Sequence, residues 1–281
     1  MPTYSTPTRI DLAINLQVGE IEVIASDRDD TVVTVSPTNP AKAVDRRGAE
    51  ETKVDLDGDR LTVKGPRPRV SWIGPTESVD LRIELPTGSR FTAEIAVGAV
   101  RTVGGLGATR VKSSMGSVDV EACGDLWLRA GHGTVTVGTV DGAAEITADH
   151  GQIRIGTVTG DAVLKASHGS IQIEQSGGDV DAKLAYGDLD IARALGSVTT
   201  KTSYGSIRLG EVSSGSIQVE SGFGQVDIGV RAEVPAWLDL TSKSGHVRNQ
   251  LGDNRAPTES ERSVAVRART QSGAITIQRA R

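Results

Sequence analysis

Large rings are scarce in this sequence: two Phe, three Tyr and three Trp make up 3% of 281 residues. A conventional globular core leans on such side chains, because each buries a large apolar area. With 37% hydrophobic residues but few rings, the core must be thin and built from Val, Ile, Leu and Ala. Cysteine occurs once, at Cys123, so no intrachain disulfide framework exists. Basic blocks are missing as well. The net charge is −5, with Lys and Arg dispersed among Asp and Glu, which lacks the electrostatic footprint of a nucleic-acid binder. No apolar run approaches the roughly 20 residues that span a bilayer. The opening MPTYSTPTRIDLAINL has no basic start followed by a long apolar stretch. The expectation is a soluble, cytoplasmic protein with no nucleic-acid partner and no membrane segment.

Glycine is what the sequence has in quantity, and it is ordered. Gly133, Gly142, Gly151, Gly160, Gly169, Gly178, Gly187, Gly196 and Gly205 stand nine residues apart. Looser copies continue on both sides, from Gly98 to Gly124 and at Gly215 and Gly224. A short fixed period is the signature of a solenoid, in which each unit buries its face on its neighbours. Between the glycines, apolar and polar residues alternate, as in Ile153 and Ile155 after Gly151 or Ile171 and Ile173 after Gly169. Period-two alternation marks a strand with one buried face, and glycine supplies the corner.

Odd and even units differ, so the true repeat is 18 residues. One type follows a His, Tyr or Phe (HGQIRI, HGSIQI, YGSIRL, FGQVDI); the other follows a small-residue turn and ends in that ring (GDAVLKASH, GDVDAKLAY). Two nine-residue strands per coil predict an all-β, single-stranded parallel β-solenoid with helix content near zero. Residues 1–95 carry strands without the strict register and are expected to form an N-terminal β segment capping the solenoid repeats of 96–281. Gln17–Val23 already matches the unit. Lys53–Val63, with Asp57-Gly58 at its centre, reads as a hairpin, and Val79–Leu85 as a strand stopped by Pro86. Near the other end, 249–262 is a polar, Pro-containing loop. Val264–Thr270 and Ala274–Gln278 read as the final strand pair, with Arg267, Arg269, Arg279 and Arg281 as edge guards.

The residues that carry chemistry are few. The column before the corner glycine reads Met115, His132, His150, His168, Tyr186, Tyr204 and Phe223. His132, His150 and His168 are the candidate metal ligands, since imidazoles on successive coils lie about 5 Å apart. The competing explanation is a structural stack, because Tyr and Phe share the column and cannot replace a ligating imidazole. Asp141, Asp161 and Asp179 line up near another corner, reminiscent of calcium-binding rolls, but the Gly-Gly-x-Gly-x-Asp pattern is incomplete. Asp55–Asp59 lacks the twelve-residue frame of an EF-hand. Outward carboxylates alternate with Lys and Arg as a solvated face. Cys123 has no paired His nearby and reads as an inert thiol. Trp127 occupies an outward position, either as a surface contact or as a ring covered by the N-terminal segment. No catalytic residue and no cofactor site stands out.

The strand G-E-I-E-V at 19–23, the strand ending Ile83-Glu84-Leu85-Pro86-Thr87-Gly88 and the serial G-S-V-x-V units resemble a bacterial family of β-strand-repeat domains of unknown function, commonly labelled "putative adhesin". The resemblance runs from about residue 8 to 279 and implies a β-solenoid without established catalytic residues. Three functions remain in view. The leading one is a non-enzymatic scaffold that binds a protein partner or itself. The others are an adhesin-like carbohydrate- or surface-binding module and a metal-binding His ladder.

Overall fold

Alternating apolar and polar residues between spaced glycines give strands, and the computed structural model, which describes residues 2–66, 77–252 and 263–280, contains little else. The chain divides into two compact units, Met1–Asp141 and Gly142–Arg281. Each winds parallel strands into solenoid coils. Among the described residues no helix is long and apolar enough to cross a membrane.

The first unit opens with β1 (Thr3–Ser5), β2 (Asp11–Ser26) and β3 (Asp30–Pro37), then α1 (Ala43–Glu51). The hairpin of β4 (Lys53–Asp57) and β5 (Arg60–Lys64) follows, then β6 (Val79–Pro86) and β7 (Arg90–Gly105). Regular coils continue through β8 (Thr109–Met115), β9 (Val118–Cys123), β10 (Leu126–His132) and β11 (Val135–Val140). β7 is long enough to supply both sides of one coil. Its first half pairs with β8 and its second half with β9, all parallel. The onset of the strict register near residue 95 therefore falls inside a single strand.

The first long strand of the chain is not the first rung. β2 lies parallel to β7, with Gly19 opposite Gly98, and its other edge takes up β5 and β6, also parallel. β4 and β3 add antiparallel strands to the far edges of β5 and β6, and β1 pairs antiparallel with β3. Antiparallel closure suits a solenoid end, because a bare parallel edge would invite further strands. The ion pairs of Arg28 with Asp30 (2.7 Å) and Glu84 (2.5 Å) tie the β2–β3 turn to β6.

The helix α1 is absent from the pattern of alternation in the sequence. Its Ala, Arg and Glu residues favour a helix once the chain leaves the sheet after Pro40. The buried Asp45 carboxylate accepts the backbone N–H groups of Asn39 (3.3 Å) and Ser78 (3.1 Å). Gly48 lets the helix sit close: a Cβ there would lie 3.2 Å from Glu77 and Val79.

In the second unit the coils are β12 (Ala144–His150) with β13 (Ile153–Val158), β14 (Ala162–His168) with β15 (Ile171–Ser176), and β16 (Val180–Tyr186) with β17 (Leu189–Ala194). β18 (Val198–Tyr204) with β19 (Ile207–Val212), and β20 (Gly215–Phe223) with β21 (Val226–Val230), continue the series. Even-numbered strands pair only with one another in one parallel ladder, and odd-numbered strands in a second. The buried columns are aliphatic on both ladders. The odd-numbered one carries Ile153, Ile171, Leu189 and Ile207; the even-numbered one mixes Ala148 and Ala166 with Ile146, Leu164 and Leu184. Side chains of this size fill a thin core without rings.

The nine-residue register hides two kinds of glycine. Those 18 residues apart, such as Gly151, Gly169 and Gly187, have φ of 143°, 138° and 143°, where L side chains are strained. A Cβ on Gly169 would also lie 1.7 Å from the Gly151 carbonyl oxygen. Alternate members such as Gly160 have no positive φ but pack tightly, with a Cβ placed 2.6 Å from the Gly142 oxygen.

The chain's end repeats the manoeuvre of its beginning. β22 (Ala236–Ser244) and β23 (Val247–Asn249) are followed by β24 (Val264–Ser272) and β25 (Ile275–Arg279). β24 pairs with β20 on one side and β22 on the other, and β25 lies between β21 and β23. The last strand pair in sequence is thus inserted one coil inward, while β22 and β23 form the outer coil. This corrects the edge-guard reading of the arginines. Arg267 and Arg269 project from an internal strand and pair with Asp239 (3.0 and 3.7 Å). Arg279 donates to the backbone oxygens of Arg231 and Val234. Arg281, Trp72 and most of the 249–262 loop lie outside the described residues.

Two of the glycines with positive φ separate conformational strain from contact. Gly58, at the hairpin turn, has φ 61° and open space around its Cβ position. Gly58→Ala is expected to cost about 1 kcal/mol. Gly169→Ala should cost more than about 3 kcal/mol, because the backbone of the preceding coil must also move. Urea denaturation of the two variants measures the difference.

Candidate functional site

The corner column forms a stack. In the second unit, His150 lies on His168 with ring centroids 4.8 Å apart and planes 3° from parallel. His168, Tyr186, Tyr204 and Phe223 continue it at 5.0 Å per step. The backbone dictates this spacing. Gly169 N–H donates to the backbone carbonyl of Tyr186 (2.9 Å) and Gly187 N–H to that of Tyr204 (2.9 Å), so the ladder runs on round the corner and sets each ring above the last. Tyr186, Tyr204 and Phe223 are each about half exposed. Tyr186 and Tyr204 have rings stacked on both faces, whereas Phe223 ends the stack, with Ser272 opposite it on the next strand.

Of the three candidate ligands, the structure brings His150 and His168 together. His132 belongs to the first unit, where it stands in register with Met115 and, one strand on, Val97. Parallel, face-stacked imidazoles direct their ring nitrogens outward side by side, whereas a tetrahedral ion needs ligand atoms converging on one point. Among the described residues no group of three or more His, Cys, Asp or Glu is placed to hold a metal ion.

The corner aspartates have a structural use. Asp161 Oδ1 accepts the N–H of Asp179 (2.9 Å), and Asp179 Oδ1 that of Ser197 (2.8 Å), each from the next coil. Asp188 does the same for Ser206 (2.7 Å). These carboxylates satisfy backbone donors that the turn leaves without a ladder partner.

Two tryptophans differ sharply. Trp127 is half-buried, with the Arg110 guanidinium of the neighbouring strand 3.8 Å from its ring centroid. The cover is this cation on β8. Trp237, by contrast, is 63% exposed. Sequence reasoning passed over it because it breaks the repeat. The odd-numbered ladder of the second unit also carries a shallow cleft of about 510 Å³, floored by Ala192 and Gly210 and flanked by Arg208, Asp190, Arg193 and Glu211.

Cys123 is buried, at 2% exposure. Burial pushes its thiol up to about 12, with Asp141 and Asp125 adding to the rise and a Thr109 hydrogen bond opposing it. A thiol so raised is a poor nucleophile. It stabilises the folded state below its ordinary value of 9.0, and that contribution is lost as pH rises toward about 12. Iodoacetamide at pH 8 should therefore leave Cys123 unmodified in the folded protein and label it in denaturant, as mass spectrometry would show. Stability should fall above about pH 9, and Cys123→Ala should flatten that limb.

No curated protein matches this chain. Among solved structures it is similar to a "putative adhesin" from Parabacteroides distasonis, at 14% identity and TM-score 0.42, covering 98% of this chain and 95% of that one. A "putative adhesin" from Bacteroides fragilis is similar at 11% identity and TM-score 0.39, with the same coverage. A "Putative lipid binding protein" from Parabacteroides distasonis is similar at 11% identity and TM-score 0.34, again covering 98% and 95%. The family model of the Toastrack DUF4097 domain matches residues 10–278, nearly the whole solenoid, and the chain belongs to that family.

Proposed function

We propose that the protein is a non-enzymatic interaction module that binds a protein partner or its own copies through the outward residues of its strands. The observation that carries this reading is the split between inward and outward positions. Inward columns repeat small and branched apolar residues. Outward columns are held in equally strict register but vary in chemistry, as in Thr147, Lys165, Lys183, Lys201 and Glu220 on successive strands. On the opposite ladder, Asp190, Arg208 and Asp227 alternate in sign. Rows of fixed charges about 4.8 Å apart make a rigid pattern that a partner can complement with little ordering cost of its own on this side.

The non-enzymatic part is supported by the placement of reactive groups. The lone thiol is buried and protonated, and His150 and His168 are stacked in a corner row. Outward carboxylates find cations on their own face, as Asp181 does with Lys183 (3.2 Å) and Glu220 with Lys201 (3.3 Å).

Sedimentation velocity of the intact protein, together with affinity capture from lysate, tests the proposal. A self-association or a captured partner is expected, weakened at least about tenfold by the combined Lys183→Glu and Arg208→Glu charge reversals. A strictly monomeric profile with a clean capture would reject it.

A further inference from the structure

We propose that the outward face of β20, β24 and β22 is a saccharide-binding subsite with Trp237 as its stacking platform. This goes beyond the interaction module above, naming three strands that continue the same outward ladder and a different class of ligand. The insertion of β24 between β20 and β22 brings three distant segments into register. Ser216, Ala265 and Trp237 form one row across the three strands, and Gln218, Arg267 and Asp239 form the next. A shallow cleft of about 430 Å³ lies over them.

Trp237 is 63% exposed, and among the described residues no ring or guanidinium stacks on it. That sets it apart from Trp127, which Arg110 covers, and from Tyr186 and Tyr204, whose faces are spent on each other. Beside the ring, Ala265 and Ser216 are small and leave a low floor. Along the other side runs a polar row. Arg267 Nε donates to Asp239 Oδ2 at 3.0 Å, which orients both groups and leaves the terminal guanidinium N–H groups and the second carboxylate oxygen for a ligand. The Gln218 amide adds a donor and an acceptor.

A pyranose has an apolar C–H face and a rim of hydroxyls. A flat ring beside a low floor, with a row of planar donors and acceptors alongside, complements both features at once. Arg267 and Arg269 share the Asp239 carboxylate (3.0 and 3.7 Å), so the polar row is held in place within itself and offers directed hydrogen bonds to the hydroxyl rim. A lipid surface fits less well, since the ring is a single apolar anchor flanked by the Asp239 carboxylate, and interfacial anchoring draws on a broader apolar face.

The test is calorimetric titration of the intact protein with cellohexaose, maltohexaose and chitohexaose, paired with tryptophan fluorescence. At least one oligosaccharide is expected to bind and shift the emission. Trp237→Ala should weaken binding at least roughly tenfold, and Asp239→Asn several-fold, while Trp127→Phe changes it by less than about twofold. Thermal melts check that each variant folds, and Trp237→Phe, which keeps a ring, should retain part of the affinity. Absence of binding by all three sugars at millimolar concentration overturns the proposal, as does binding that Trp237→Ala leaves unchanged. Attachment to phosphatidylcholine–phosphatidylglycerol vesicles that depends on Trp237, without sugar binding, would overturn it in favour of a lipid surface.

Discussion

Everything regular in this molecule depends on a parallel hydrogen-bond ladder that does not stop at the corner. In most sheets a turn ends the ladder. Here the N–H of each corner glycine donates to the residue preceding the glycine of the next coil, as Gly187 does to Tyr204, so rungs stay about one strand spacing apart through the bend. Only glycine permits it. The φ near 140° and the close carbonyl of the coil below leave no room for a Cβ. Ring stacking at 5.0 Å is a consequence of that ladder, and so are the corner aspartates that cap the next coil's N–H groups.

A ladder of this kind creates a problem at its ends, where one edge of every terminal strand is unpaired. Both units answer it with insertion. β2 lies between β7 and the β5–β6 layer; β24 and β25 lie between the coil before them and the coil of β22 and β23. β2, β24 and β25 thus gain partners on both edges, and releasing any of them would have to break two sets of hydrogen bonds. Internal segments take the outermost position instead. At the first unit's end, antiparallel strands and α1 supplement them.

Much of the coil architecture was legible in the sequence because its physics is local and repeated: an 18-residue period, an alternation of two and a glycine at each corner. The hairpin at Asp57-Gly58 was legible for the same reason. The helix α1 was not, since nine residues of Ala, Arg and Glu within a strand-rich segment give no periodic signal that long. The histidine column was visible as a spacing, but a spacing carries no ring orientation; face-to-face stacking emerges only when the backbone sets the rotamers in register. Trp237 was hidden by its own irregularity. It lies beyond the last clean repeat, and the residues that surround it, Ser216, Ala265 and Arg267, come from both sides of it in the chain.

By itself the sequence determined the coil: strand type, period, the inward columns and the membership of residues 10–278 in a solenoid family. These follow from neighbours at fixed offsets, which a linear pattern records. Tertiary structure alone decided the order of rungs at the two ends, the burial that silences Cys123 and the covering of Trp127 by Arg110. It also assembled the face around Trp237. Each of these depends on which strand edge a distant segment finds unpaired, and a pattern of alternation, identical for every edge strand, holds no record of that choice.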